Sequence, residues 1–178
     1  MKYSIQIMSK SECTTFTTRD LKEDYIIISI NNSNDNTVLF SNPHIKNVLT
    51  LHFDDIEKQL ENNVLMTLDQ GKQIKDFIDK HKSITNIVVH CTAGISRSGA
   101  IGCCLARYLN GNDEYLLKTG KYIPNKHVYK IMCEVLGLKY SEELFRYKRS
   151  LRNGGRYKIN KSDENYGFTL EDMFGENL

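Results

Sequence analysis

The residues best suited to chemistry lie in one short segment, HCTAGISRSG, residues 90–99. Cys91 could supply a thiolate, which is a strong nucleophile that needs no separate base. Arg97 follows six residues later, and its planar guanidinium can hold two oxygens of a phosphoryl group at once. Gly94 permits backbone angles that a side chain would oppose, and the Ser98 hydroxyl could donate a hydrogen bond to the sulfur. This combination indicates nucleophilic attack on a phosphate-sized anion.

A strand must end and a helix must begin within this segment if these groups are to converge. The apolar run NIVV, residues 86–89, predicts a buried strand that leads into His90 and Cys91. The segment SGAIGCCLARYLN, residues 98–110, has apolar residues at helical spacing. At such a junction the backbone N–H groups and the helix dipole favour an anion, and they would also lower the pKa of a cysteine thiol.

The rest of the chain supplies the elements around this junction. Further strands are predicted over residues 25–30 and 48–53. Further helices are predicted after Thr67, after Pro124 and over residues 141–151. Because strands alternate with helices, the sequence predicts an α/β fold with a mostly parallel sheet.

The composition is that of an ordinary soluble domain. The chain has 178 residues and a formal charge of +2, so we expect one domain over residues 1–152, with no general case for nucleic-acid binding. Residues 153–178 are polar and are predicted to form a C-terminal tail, flexible or docked. No apolar stretch approaches the length of about 18 residues that is typical of a membrane span, so no membrane association is expected.

Cysteine and histidine usage argues against disulfides and metals. The five cysteines form no CxxC pair, which suits a reducing cytoplasm, and the five histidines show no ligand spacing, so neither a metal nor a cofactor is expected. Most cysteines are inert core residues, and we interpret four of them in that way: Cys13, Cys103, Cys104 and Cys133. Cys91 differs because glycine, arginine and serine accompany it between a strand and a helix.

The segment around Cys91 resembles the protein tyrosine phosphatase superfamily. HCTAGISRSG matches the Cys-x5-Arg signature, and its form His-Cys-x-Ala-Gly-x-Ser-Arg-Ser looks like the dual-specificity branch. FIDKHKSITNIVVHC (77–91) and KYIPN (121–125) are similar to segments before and after the loop of that family, so the resemblance covers about residues 48–136. It implies a central, mainly parallel sheet of four or five strands flanked by helices.

The resemblance also implies roles for individual residues. The phosphate would be bound by Arg97 and by the loop residues Thr92, Ala93, Gly94, Ile95 and Ser96. His90 would orient the loop or tune Cys91 rather than act as a base. Asn125 would support the loop, although a plain helix N-cap is an equal alternative.

The proton for the leaving oxygen would come from an aspartate upstream of the cysteine. Asp54 and Asp55 follow the strand predicted over residues 48–53, and the rhythm Leu51-x-Phe53-x-Asp55 favours Asp55, with Asp54 in support. Outside this context, such a pair would be read as a solvated turn or an N-cap. With it, Cys91 would form a phosphocysteine, which water activated by Asp55 would hydrolyse without a metal.

The expected function is that of a cysteine-dependent phosphomonoesterase. The chain has no Trp and therefore lacks the Trp-Pro-Asp acid loop of tyrosine-specific members, which favours a dual-specificity enzyme. Its substrates would be phosphotyrosine, with phosphoserine and phosphothreonine as further candidates, in proteins. Two alternatives stay open: a phosphatase of a small phosphorylated metabolite, nucleotide or RNA end, and a catalytically silent phosphate-binding module.

Overall fold

Four short strands rich in isoleucine and valine form the centre of the protein. A computed structural model describes residues 2–153, in which the strands are β1 (Ser4–Ser9), β2 (Tyr25–Asn31), β3 (Ile45–His52) and β4 (Asn86–Cys91). They form one sheet in the order β1-β4-β2-β3, and every neighbouring pair is parallel. All four strands therefore end at the same edge of the sheet, where Cys91 is the last residue of β4.

Within residues 2–153, six helices connect and cover these strands. Their bounds are α1 (Lys10–Thr17), α2 (Leu68–Lys80), α3 (Arg97–Asn110), α4 (Glu114–Leu117), α5 (Lys126–Leu136) and α6 (Glu142–Ser150). A short 3-10 turn, Leu151–Asn153, follows α6. Side chains cap four of the helices at their N-termini: Ser9 caps α1, Thr67 caps α2, Asn125 caps α5 and Ser141 caps α6.

The two faces of the sheet bury cores of different size. On one face, side chains such as Ile28, Val89 and Leu105 belong to a large cluster that includes residues of α2, α3 and α5. On the other face, Cys13 and Phe16 of α1 pack with Val88 in a much smaller cluster. Because successive residues of a strand point to opposite faces, the side chain of Cys91 lies on the large-core side, and that of His90 lies on the α1 side.

The predicted α/β class and the mainly parallel sheet are confirmed, with four strands rather than five. The predicted helices after Thr67 and Pro124 are also found. The sequence reading missed β1 and α1, although Ile5 and Ile7 alternate with polar residues and Ser9 forms a capping box with Glu12. Of the tail predicted over residues 153–178, residues 154–178 lie outside the described residues. Within residues 2–153, no helix has the length and apolar character needed to cross a bilayer.

Candidate active site

The loop between β4 and α3 turns its carbonyl groups outward. Residues outside the loop bind three of these carbonyls: Lys10 N–H donates to Thr92 O (3.3 Å), Ile123 N–H to Ile95 O (3.2 Å) and Asn125 N–H to Ser96 O (3.2 Å). In a trans peptide the N–H group points away from the preceding carbonyl. The N–H groups of Ala93, Ser96 and Arg97 therefore point toward the inside of the loop, as an anion cradle requires.

Gly94 occupies the position where this loop meets the end of β1. Its φ of +71° lies in the left-handed region that side chains disfavour. A Cβ atom on Gly94 would lie 2.3 Å from the backbone nitrogen of Ser9 and 2.5 Å from the carbonyl carbon of Met8. Both contacts are with backbone atoms, which cannot move aside as a flexible side chain could. The end of β1, the strand that was not predicted from the sequence, therefore forms the surface against which the loop packs.

We expect Gly94→Ala to lower the free energy of unfolding by about 2–4 kcal/mol, because a left-handed alanine and a clash with β1 act together. Gly111→Ala is the matched control, since Gly111 has a φ of +76° but open space around its Cβ position. That control should lose only about 1–2 kcal/mol. Chemical denaturation of both variants measures the difference, and equal losses would show that the contact with β1 is unimportant.

Helix α3 begins without a capping side chain. Ser96 occupies its N-cap position, but the Ser96 hydroxyl donates to Asp55 Oδ1 (2.8 Å) and makes no capping hydrogen bond. The N–H groups of the first helical turn consequently lack the side-chain acceptor that the capped helices have. An uncapped helix N-terminus inside a loop of converging N–H groups favours an anion.

The Cys91 thiol lies at the base of this cradle and is almost fully buried. Its Sγ is 3.1 Å from the Ser98 hydroxyl oxygen, and the N–H of Gly94 donates to it at 3.3 Å. Burial is the largest influence on the pKa of Cys91 and raises it. The hydrogen bonds from Ser98 and Gly94 and the charge of Arg97 together outweigh burial, so the pKa of Cys91 is lowered below its usual value.

The other cysteines have no such surroundings. Burial raises the pKa of Cys13 to about 12 and raises the pKa values of Cys103 and Cys104 well above their usual value. A thiolate nucleophile at neutral pH is therefore favoured at Cys91 and disfavoured at these three positions.

The Arg97 guanidinium is held by backbone carbonyls at the end of the sheet. Its Nη1 donates to Phe53 O (2.6 Å) and, at longer range, to Asn31 O (3.4 Å), while Nη2 donates to the Thr92 hydroxyl (3.1 Å). The Nε atom of Arg97 is buried and has no hydrogen-bond partner among the described residues. An unsatisfied buried donor of a cation is costly, and an anion bound in the loop would satisfy it.

We expect Ser98→Ala to raise the pKa of Cys91 and to slow turnover by about 10- to 100-fold, because the sulfur loses a hydrogen bond that stabilises its negative charge. The rate of alkylation of Cys91 by iodoacetamide should rise with pH around a midpoint, and that midpoint should move to higher pH in the variant. Ser98→Thr, which keeps a hydroxyl, serves as the control. Identical midpoints in all three proteins would contradict this role.

The two adjacent aspartates have different surroundings. Asp54 accepts hydrogen bonds from the Ser33 N–H (3.1 Å), the Ser33 hydroxyl (2.8 Å) and the Val64 N–H (2.8 Å). The hydrogen bond from the Val64 backbone is the largest of the influences that lower the pKa of Asp54 to about 2. Asp54 is therefore ionised at neutral pH and joins the ends of the loop over residues 54–64.

Asp55 turns toward the cysteine loop instead. Its Oδ1 accepts hydrogen bonds from the Ser96 hydroxyl (2.8 Å) and from Asn125 Nδ2 (2.8 Å). The Asp55 residue is exposed, and no hydrogen bond to its Oδ2 is found within the described part of the chain. Within the described residues, the carboxyl group therefore has one oxygen held by the site and one oxygen without a hydrogen bond.

Asn125 combines both interpretations of the sequence. Its Oδ1 accepts the N–H of Val128 at 3.0 Å, which makes it the N-cap of α5. Its Nδ2 donates to Asp55 and to Ile56 O (3.2 Å), while its backbone N–H holds the Ser96 carbonyl. The buried Asn125 thus joins the cysteine loop, the Asp55 carboxylate and α5.

The structure does not bring the His90 ring to the Cys91 thiol. The imidazole packs edge-on against Phe40, with ring centroids 5.7 Å apart, on the opposite face of the sheet. Burial lowers the pKa of His90 to about 4, and the nearby backbone of Cys91 offsets only part of this effect. His90 is neutral at pH 7, so any influence on Cys91 acts through the backbone.

Sequence reasoning missed the contacts that hold these groups together. Substrate binding by Ser96 stays a prediction for its N–H group, and the contact of its side chain with Asp55 was not predicted. The carbonyls that hold Arg97 and the Ser33 contacts of Asp54 were also missed, because backbone carbonyls and distant partners leave no local pattern. In contrast, β1 could have been predicted, because its alternating apolar residues and the capping box that follows it are local sequence patterns.

The fold and the site together define an α/β protein with a cysteine- and arginine-containing anion loop at the carboxyl edge of a parallel sheet. No protein family model matches the chain, and no curated protein matches it. Among solved structures, it is similar to a human tyrosine phosphatase-like serine/threonine/tyrosine-interacting protein, with 19% identity and a TM-score of 0.49. The similarity covers 71% of this chain and 83% of that one.

Proposed function

We propose that this protein is a cysteine-dependent phosphomonoesterase. The observation that carries the proposal is the Cys91 sulfur, which accepts a hydrogen bond from Gly94, lies 3.1 Å from the Ser98 hydroxyl and shares its loop with Arg97. The loop combines a thiol of lowered pKa with a cradle for an anion, and hydrolysis of a phosphate monoester by a cysteine needs both.

In the first step, the Cys91 thiolate attacks phosphorus in line with the leaving oxygen. The sulfur–phosphorus bond forms as the phosphorus–oxygen bond breaks. Arg97 and the inward N–H groups hold the equatorial oxygens, where negative charge is greatest in the transition state. Asp55 donates its proton to the leaving oxygen, which departs as an alcohol or phenol.

In the second step, water hydrolyses the phosphocysteine. Asp55, now ionised, accepts a proton from the water, whose oxygen attacks phosphorus while the sulfur–phosphorus bond breaks. The sulfur leaves as a thiolate, and the Ser98 hydroxyl, 3.1 Å away, stabilises the returning charge. Inorganic phosphate then dissociates. Asp54 is less suited to proton transfer because its pKa is lowered to about 2.

The substrates we propose are phosphoproteins, with phosphotyrosine first and phosphoserine and phosphothreonine handled by the same loop. The variable loop positions Thr92, Ala93 and Ile95 carry no charge, which disfavours a polyanionic inositol phosphate. We propose the cytoplasm as the location, because a reducing compartment keeps a reactive thiol active.

The direct test is hydrolysis of a generic aryl phosphate across pH without added metal, followed by a panel of phosphotyrosine, phosphoserine and phosphothreonine peptides and small phosphorylated metabolites. We expect turnover of the aryl phosphate and of the phosphotyrosine peptides. Turnover confined to metabolites would identify a small-molecule phosphatase. Tight binding of phosphopeptides without turnover would identify a phosphate-binding module and overturn the proposal.

A further inference from the structure

A basic groove adjoins the cysteine loop and plays no part in the chemistry described above. It has a volume of about 500 Å³ and lies between the segment before α5 and the outer surface of α6. Tyr122 and Ile123 are among its lining residues, and the N–H of Ile123 donates to the carbonyl of Ile95 in the cysteine loop. A ligand bound through the loop could therefore extend directly into this groove.

The lining of the groove is predominantly cationic. Its charged residues are four cations and one carboxylate: Lys126, Arg146, Arg149, Arg152 and Glu142. Glu142 is paired with Lys126 at 2.7 Å, so its charge is offset by a neighbour. The three arginines are exposed residues, which leaves a net positive field over the groove.

The groove is also partly rigid. Arg152 Nε donates to the carbonyl of Gly120 at 2.8 Å, and the Arg149 guanidinium lies over the Phe145 ring at 5.7 Å. Guanidinium groups held in this way lose less conformational entropy when they bind a carboxylate, and their planar fork matches its two oxygens.

The lining favours a peptide over a nucleic acid. Binding of single-stranded RNA commonly uses exposed aromatic rings on which bases stack. The aromatic side chains of this groove, Tyr122 and Phe145, are only 8% and 3% exposed. Discrete acidic side chains can instead pair with separate guanidinium groups and avoid Glu142, which a continuous phosphate backbone could not do.

We propose that this groove binds acidic side chains next to the phosphorylated residue of a peptide substrate. Arg146 and Arg149 would then be specificity-determining residues, and the preferred substrate class is the acidic phosphopeptide. The inference rests on the proposed function for its kinetic readout, but binding can test it separately.

The test compares two phosphotyrosine peptides that differ only in having acidic or neutral residues around the phosphotyrosine. We expect kcat/KM for the acidic peptide to be higher by about tenfold or more at low salt. Added sodium chloride should reduce this preference, because exposed charges are screened. In the double variant Arg146→Glu, Arg149→Glu, the preference should fall to about twofold or less, with turnover of a small aryl phosphate unchanged.

The matched control is the double variant Lys22→Glu, Lys82→Glu. These exposed lysines lie near the amino ends of the strands, with Lys22 preceding β2 and Lys82 preceding β4, at the opposite edge of the sheet from Cys91. The control makes the same change in net charge and should keep the full preference for the acidic peptide. A parallel loss of preference in the control would show a general charge effect and overturn the inference.

Binding separates this inference from the catalytic proposal. Fluorescence anisotropy with the labelled peptides measures their affinity for the Cys91→Ser variant, which should bind the acidic peptide more tightly than the neutral one. Adding Arg146→Glu and Arg149→Glu to this variant should remove that difference in affinity. If this binding pattern appears but the wild type turns over no substrate, the assignment of the groove to acidic side chains is supported and the proposed phosphatase activity is wrong. Equal binding of acidic and neutral peptides, or stronger binding of a 5′-phosphorylated oligoribonucleotide, would overturn the groove assignment.

Discussion

Replacing Cys91 by serine is expected to reduce turnover of an aryl phosphate by at least about 10⁴-fold while leaving phosphopeptide binding intact. A serine hydroxyl is protonated at neutral pH and would need a general base. The carboxylate that contacts the cysteine loop, that of Asp55, is engaged by Ser96 and Asn125 rather than by the nucleophile. Binding should persist because Arg97 and the N–H groups of the loop are unchanged. Steady-state kinetics and anisotropy with a labelled phosphopeptide measure the two effects.

Cys13→Ala is the matched control for this variant. Cys13 is also fully buried, but it lies on the opposite face of the sheet, and burial raises its pKa to about 12. We expect this substitution to lower stability without lowering the kcat of the folded protein. Substantial turnover by Cys91→Ser, or equal losses in the two variants, would exclude Cys91 as the nucleophile.

Replacing Asp55 by asparagine should lower kcat by about 10²- to 10⁴-fold for a substrate with a poor leaving group. The loss should shrink for an aryl phosphate whose leaving phenolate is a weak base, because that oxygen departs without a proton. Kinetics with a series of aryl and alkyl leaving groups measure the loss and its dependence on the leaving group.

Asp54→Asn is the control at the neighbouring position. Asp54 holds the loop over residues 54–64 through Ser33 and Val64, so its replacement should weaken that loop. Because the pKa of Asp54 is depressed, the stability that its carboxylate contributes is present above its unfolded pKa of about 3.9 and is lost as pH falls toward 2. The effect of Asp54→Asn on kcat should not vary with the leaving group. A leaving-group dependence in Asp54→Asn, and not in Asp55→Asn, would reverse the assignment.

The sequence predicted the parts of this protein that depend on local pattern. The strand that ends at Cys91, the helix that begins at Arg97 and the capping box at Thr67 are all local features, and the structure has each of them. The parallel sheet followed from the alternation of strands and helices. The first strand was missed because its short alternation, in Ser4–Ser9, is followed at once by a helix.

The site contacts could not be predicted in the same way. The hydrogen bond from Ser96 to Asp55 joins residues that are 41 positions apart, and the anchors of Arg97 are backbone carbonyls at Asn31 and Phe53. Such contacts depend on how β2, β3 and the cysteine loop meet at the edge of the sheet. The sequence could name Asp54 and Asp55 together, but the difference between them depends on these distant partners.

The most direct test of the account is to trap the covalent intermediate. The Ser98→Ala variant should break down the phosphocysteine slowly, so it can be mixed with an aryl phosphate, quenched with acid and analysed by peptide mass spectrometry. We predict one phosphoryl group on the peptide that contains Cys91, and none on the corresponding peptide of Cys91→Ser. Turnover by the wild type with a phosphoryl group on another residue, or by the Cys91→Ser variant at a comparable rate, would contradict the proposal that Cys91 is the nucleophile.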